Sequence, residues 1–266
     1  MIHPRELSKL SSASKVSDRQ IEKDYVLTWI LFGITNHEAL NTSMSFKGGT
    51  VLKKCYFRDY RYSEDLDFTL LDEAMTHEQL KEMFREVFDW VKEKSNITLQ
   101  HGNDETHSSS GSSLFYLDYI GPLGGNLGSR DIKVDITRGE KIEFGIEQRP
   151  AFIDFSDFPQ DSFLINCYSL SEVLIEKMAA LMGRTEPRDL YDFWYLIEMH
   201  GMKVSEHQVE FASKAKHKSQ NPEEFAGKVK MKENRFKRDW ETKLKHQIHD
   251  LPDFNELMRQ TRRHLK

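Results

Sequence analysis

Two stretches decide the fold: Phe46-Lys47-Gly48-Gly49-Thr50-Val51-Leu52, and shortly after it Arg61-Tyr62-Ser63-Glu64-Asp65-Leu66-Asp67-Phe68. A glycine pair just ahead of a helix lets the backbone approach a phosphate and turn its N–H groups outward. Leu66 to Leu70 alternates as a strand does. A period of two puts Asp65 and Asp67 on one side, with Leu66 and Phe68 on the other. Two carboxylates on one side can share one or two hard cations, and Mg²⁺ favours few carboxylates together with triphosphate oxygens and water. Each piece has a plainer reading, as a turn or as a solvent-facing strand end. In this order they are far more specific together than apart.

Further along, Ile132-Lys133-Val134-Asp135-Ile136-Thr137 reads as a second strand with Lys133, Asp135 and Thr137 on one face. Asp135 there suits a general base for an attacking hydroxyl, or a ligand of a second metal. Lys47, Lys53, Lys54 and Arg61 flank the glycine turn. One or two are expected on phosphate and the others at the surface, since Lys53 and Lys54 cannot face the same way on a helix.

Outward from this centre, Ser17 is positioned to cap a helix to about Gly33, with Ile21, Tyr25, Trp29 and Phe32 on its core face. A short helix follows the glycines, from Val51 to about Phe57, and Arg58 to Ser63 is a polar connector. Thr76 opens a long amphipathic helix to about Lys94. Ile97 to His101 and Leu114 to Ile120 are strands, and the Ser-rich stretch between them is a loop or hairpin tip. Gly124-Gly125 reads as a hairpin turn. Phe144 to Phe158 reads as irregular and Phe163 to Tyr168 as a short strand. Ser169 and Glu172 have capping-box spacing, and Pro187 suits the first residue of a further helix. Beyond Gly201 helices are expected at His207 to Phe211, Pro222 to Lys230 and Phe236 to Ile248. A mixed sheet followed by helices alone divides the chain into an α/β domain over 1–168 and a helical domain over 169–266.

Lys177 lies on an apolar-looking stripe beside Leu174, Met178 and Leu181. It can snorkel to water or stand as a fixed ammonium on a triphosphate. Arg188 and Asp192, one turn apart, can simply pair. From Gly201 to Lys266 there are 16 Lys/Arg against 10 Asp/Glu, whereas the first 200 residues carry 22 against 33. That asymmetry is either a solvated helical face or a footprint for a polyanion such as RNA. Phe236 and Trp240 within it stack on a base or pack in a core.

The quoted motifs resemble those of the AbiEii/AbiGii-type toxin family, nucleotidyltransferases of the polymerase-β-like superfamily. The resemblance continues at Glu176-Lys177-Met178-Ala179-Ala180-Leu181, Arg184 and Arg188-Asp189-Leu190-Tyr191-Asp192, spanning roughly residues 20–200. It implies an α+β fold: a polymerase-β-like core of mixed sheet and helices followed by a helical C-terminal region. It implies catalysis by Asp65, Asp67, Asp135, Lys177 and Asp189, with Mg²⁺ on the first three. Nucleotide contacts would come from Lys47, Gly48, Gly49, Thr50, Arg61, Ser63, Arg184 and Arg188. Many superfamily members have Gly-Ser where this chain has Gly48-Gly49, and Thr50 would then take over the hydroxyl contact to phosphate. The implied activity transfers a nucleoside monophosphate from a nucleoside triphosphate onto RNA, at the 3′ end of tRNA. The implied setting is a toxin–antitoxin or phage-defence pair with a cognate antitoxin. Transfer onto protein, a nucleotide- or antitoxin-binding module without turnover, and a metal-dependent hydrolase remain open.

Composition excludes other classes. Hydrophobic residues at 38% support a core, and charged residues at 30% a wet surface. Cys55 and Cys167 form neither a disulfide pattern nor a metal-ligand spacing. The histidines form no His-x-x-x-His pair, so no zinc site is expected. The longest apolar run, around Val26 to Ile34, is too short for a bilayer. The N-terminus does not read as a signal peptide. A whole chain in a reducing cytoplasm, with no membrane partner, is the expectation.

Overall fold

The structure, a computed structural model, describes residues 1–104 and 112–265. The central part of the Ser-rich tip, 105–111, lies outside the described residues. The chain divides into two compact units, Met1–Glu140 with Ile146–Cys167, and Lys141–Gly145 with Tyr168–Lys266.

The first unit opens with α1 (Pro4–Ser14), α2 (Asp18–Asn36) and α3 (Glu38–Ser43). Then come β1 (Met44–Lys47), α4 (Gly48–Val51), a π turn (Leu52–Tyr56), β2 (Asp65–Leu70) and α5 (His77–Ser95). The strands β3 (Thr98–Asp104), β4 (Ser113–Ile120), β5 (Asp131–Thr137), β6 (Ile146–Phe152) and β7 (Ser162–Tyr168) complete the sheet. Among the described residues seven strands form one mixed sheet in the order β3-β4-β5-β2-β1-β7-β6. β1 runs antiparallel to β2, and β2 parallel to β5.

Alternation divides the sheet into two faces. Phe46, Leu66, Phe68, Phe115, Val134 and Ile136 are buried on one, and α5 packs there through Phe84, whose ring is 5.0 Å from that of Phe115. The other face carries the polar residues of β2 and β5. α5 starts in a full capping box: Thr76 Oγ1 accepts from the Gln79 N–H, and Gln79 Oε1 accepts from the Thr76 N–H. Ser17 caps α2 as expected, but this helix has no single apolar stripe. It is buried from Gln20 to Ile34 except at Lys23. At Gly33 α5 packs tightly, since a Cβ there would lie 2.8 Å from Val87 Cγ1.

Three features of this unit depart from the sequence reading. The stretch Phe144 to Phe158, expected to be irregular, contains β6. It is an edge strand, mostly exposed, and its Pro150 has no N–H to donate; edges tolerate both traits. α1 also forms, with His3 as its N-cap and Pro4 at its first position. Finally, the segment after Val51 is a π turn, wider than an α-helical turn. Lys53 and Lys54 are both buried there, and neither is a surface charge.

The second unit is helical: α6 (Leu170–Gly183), α7 (Pro187–Trp194) with a π extension to Met199, α8 (Gln208–His217), α9 (Phe225–Met231), α10 (Glu233–Leu244) and α11 (Phe254–Thr261). Ser169 caps α6 through the Glu172 N–H. The Glu172 carboxylate accepts instead from the N–H groups of Glu143 and Phe144, both at 2.8 Å, and from Lys214 Nζ at 2.7 Å. This is why Lys141–Gly145 belongs with the helices. Lys232 Nζ closes the C-terminal end of α6 by donating to the carbonyls of Leu181, Met182 and Arg184. Phe236 and Trp240 are core residues, and Trp240 Nε1 donates to the Pro252 carbonyl; neither ring is free to stack on a base. No helix among the described residues is long and apolar enough to cross a membrane.

Candidate active site

β1 ends at Lys47 and the chain turns at Gly48, whose φ of 81° is one that side chains rarely adopt. The turn also leaves no room for a side chain. A Cβ on residue 48 would lie 2.4 Å from Asp67 Oδ2. The antiparallel register sets Lys47 opposite Asp67, and the parallel register sets Asp67 beside Asp135. Asp65 is one pleat upstream, beside Lys133. All three aspartates are half-buried and share the polar face of the sheet. Lys133 Nζ lies 3.5 Å from Asp135 Oδ2.

Thr50, the third residue of α4, is buried. Its hydroxyl donates to the Asp65 carbonyl at 2.6 Å and lies 2.7 Å from Ser63 Oγ. That bond ties the glycine turn to the start of the acid strand, and it commits the Thr50 hydroxyl to protein. Lys47 is buried with its ammonium 3.0 Å from Thr137 Oγ1 and 3.5 Å from Glu140 Oε1. Arg61 is buried, with Nη1 donating to the Tyr62 carbonyl. Asp65, Asp67, Asp135, Lys47, Gly48, Gly49, Thr50 and Ser63 are therefore drawn to the ends of β1 and β2 and the adjoining stretch of β5. Among the described residues no three His, Cys, Asp or Glu side chains converge into a ready-made metal cage.

In the helical unit Lys177 does not snorkel. It is 5% exposed, and its ammonium lies 2.9 Å from Asp189 Oδ1 and 2.7 Å from Asp192 Oδ2. Arg184 reaches the same Asp189 with two bonds, Nε to Oδ2 at 2.7 Å and Nη2 to Oδ1 at 3.1 Å. Burial pushes the Asp189 carboxyl up, but Lys177 and Arg184 together outweigh it and hold the group below its ordinary value. The Asp192 carboxylate, one turn beyond Asp189, is also within reach of Lys177 across to α6. Arg188 is half-buried in the first turn of α7.

The chain has relatives among known proteins. The family model described as nucleotidyl transferase AbiEii toxin, of a type IV toxin–antitoxin system, matches residues 29–260. MenT4, a nucleotidyltransferase toxin from Mycobacterium tuberculosis, is similar in structure with a TM-score of 0.60 at 17% identity, covering 83% of this chain and 74% of that one. JHP933 from Helicobacter pylori is similar with a TM-score of 0.58 at 15% identity, covering 94% and 91%. A putative nucleotidyltransferase from H. pylori gives 0.58 at 16% identity, covering 94% of each. At these identities the likeness is one of fold. No curated protein matches the sequence.

Proposed function

Because the chain belongs to the AbiEii family of nucleotidyltransferase toxins, we propose that it transfers a nucleoside monophosphate from a nucleoside triphosphate to the 3′ end of an RNA, with tRNA as the acceptor and Mg²⁺ as the metal. One observation carries this reading: Asp67 stands in register beside Asp135, and its carboxylate occupies the space that Gly48 leaves. The donor set fits Mg²⁺. A hard cation takes oxygen ligands, and Mg²⁺ needs only one or two protein carboxylates when phosphates and water supply the rest. Asp65 and Asp67 would hold it, with Asp135 as a third ligand or as the base. When bound, the metal would neutralise charge on the triphosphate and on the leaving pyrophosphate.

The remaining work falls to the chain. The acceptor hydroxyl attacks the α-phosphorus, the bond from that phosphorus to the bridging oxygen breaks, and pyrophosphate leaves. Asp135 accepts the hydroxyl proton. The turn at Gly48 and Gly49 lets phosphate oxygens approach backbone N–H groups. Lys47, Arg61 and Ser63 would contact the nucleotide there, as the resemblance implies, and Thr50 supports the turn by fixing the start of β2. For the helical unit the family resemblance alone implies Lys177, Arg184 and Arg188 as cations for a nucleotide, with Asp189 orienting Lys177. The surplus of Lys and Arg beyond Gly201 suits the phosphate backbone of an RNA acceptor. Membership of a type IV toxin–antitoxin family implies an antitoxin partner, and the cytoplasm is the compartment in which tRNA is met.

The test is incubation with each labelled triphosphate, Mg²⁺ and total RNA, resolved on a gel. Label in tRNA is the expected result, absent with Asp67→Asn. Label in protein would move the acceptor to a polypeptide. Tight triphosphate binding with no transfer would make the chain a binding module, and release of monophosphate would make it a hydrolase.

A further inference from the structure

A cavity of about 620 Å³ lies within the first unit among α1, α2, the π turn, the 58–62 connector and the 153–156 loop. Its size suits a small molecule. Lys53 lines it and is 7% exposed. Its ammonium donates to the Arg58 carbonyl and sits 4.6 Å over the Tyr62 ring. Among the described residues no carboxylate lies within 4 Å of it. Burial accordingly draws its pKa down, with Asp24 countering in part. A buried ammonium without a counter-ion is costly.

Asp24 lines the same cavity and is 2% exposed. One oxygen, Oδ2, is held by Lys54 at 2.6 Å; the other, Oδ1, has no hydrogen-bond partner. A buried acceptor left without a donor is a second cost that the fold carries for no structural gain. Tyr62 and Phe155 add aromatic surface.

We propose that this cavity is a nucleobase site, with Lys53 donating to a ring nitrogen or carbonyl, Asp24 accepting an N–H of the base, and Tyr62 forming the aromatic wall. Mixed polarity argues against a phosphate, which Glu6, Asp59 and Asp154 in the lining would repel. A neutral heterocycle with donors and acceptors on one edge satisfies both the bare Asp24 oxygen and the ammonium protons of Lys53 that the Arg58 carbonyl does not take. The inference rests on the nucleotidyl-transfer reading and deepens it. Lys53 is one helical turn beyond Gly49 and Tyr62 is three residues before Asp65, so both walls lie within about 10 Å of the phosphate turn or the acid strand. The base belongs either to the triphosphate or to the RNA acceptor.

The test measures binding of the four plain nucleosides to the full chain by calorimetry, which needs no transfer. Wild type and Asp67→Asn should bind the same nucleoside equally well, although Asp67→Asn loses transfer. Lys53→Met should raise thermal stability, because it removes a buried charge, yet weaken nucleoside binding by at least about tenfold. Tyr62→Leu should weaken it as well. The same Lys53→Met chain is then titrated with triphosphates and with short RNAs bearing a free 3′ end. Selective loss of triphosphate affinity assigns the base to the nucleotide, and selective loss of RNA affinity assigns it to the acceptor. If wild type binds no nucleoside, or Lys53→Met binds as wild type does, the site is wrong, whatever becomes of the transfer activity.

Discussion

Gly48 and Asp67 share one volume: where a Cβ of residue 48 would stand, the Asp67 carboxylate lies at 2.4 Å. Gly48→Ala therefore meets two penalties, a strained positive φ and a displaced aspartate. We expect a loss of about 1–3 kcal/mol in stability from the backbone alone. Transfer should fall much further than that loss of folded protein accounts for. Urea denaturation alongside the transfer assay checks both, and a variant that transfers at the wild-type rate would remove the coupling.

Lys177 neutralises two buried carboxylates at once. Replacing it by Met leaves Asp189 with Arg184 and removes the ammonium 2.7 Å from Asp192. The expected cost is about 3–5 kcal/mol. Adding Asp192→Asn to Lys177→Met should recover a good part of it. A double variant no more stable than the single one would show that the pair has no such coupling.

Acid should act through Asp189. Its carboxyl is held below its ordinary value in the folded chain, so the unfolded state binds the proton more readily. Its contribution is thus complete above the unfolded value of about 3.9 and is lost as pH falls through the lower folded value. Denaturation midpoints measured down through pH 4 should drop for wild type. The drop should be shallower for Asp189→Asn, which starts less stable.

Lys237, Arg238 and Lys243 are exposed on α10, held by Asn255, Asp239 and Glu186. Neutralising all three should flatten the dependence of RNA affinity on salt, by about 0.7 in log–log slope for each phosphate that is no longer neutralised. A slope that stays put would take this face out of RNA binding.

The acid strands are legible in the sequence because a period of two survives wherever one face is buried, as at Leu66, Phe68, Val134 and Ile136. Helix starts at Ser17, Thr76 and Pro187 are legible from capping chemistry, which is local. β6 is not, since an exposed edge strand containing Pro150 has no alternation to show. Nor is the burial of Lys53 and Lys54, which follows from a π turn with no compositional mark. Spacing offers Arg188 to Asp192 because a sequence displays distance along one helix, and it is silent on partners from another helix. The ion pair of Asp192 with Lys177 crosses from α7 to α6, and only packing discloses it. Lys177 itself stands out as a charge on an apolar stripe, but its two carboxylates come to light only in space.

The five residues Lys141–Gly145 carry a lesson for anyone dividing this protein. They interrupt the strands of the first unit, yet their backbone N–H groups are spoken for by Glu172. The polypeptide thus passes between its units three times, at 140–141, 145–146 and 167–168. A cut after Tyr168 would spare every strand and still leave the amides of Glu143 and Phe144 without the acceptor they have in the whole chain. The boundary visible along the sequence is a single point, whereas the one the folded chain obeys is a braid.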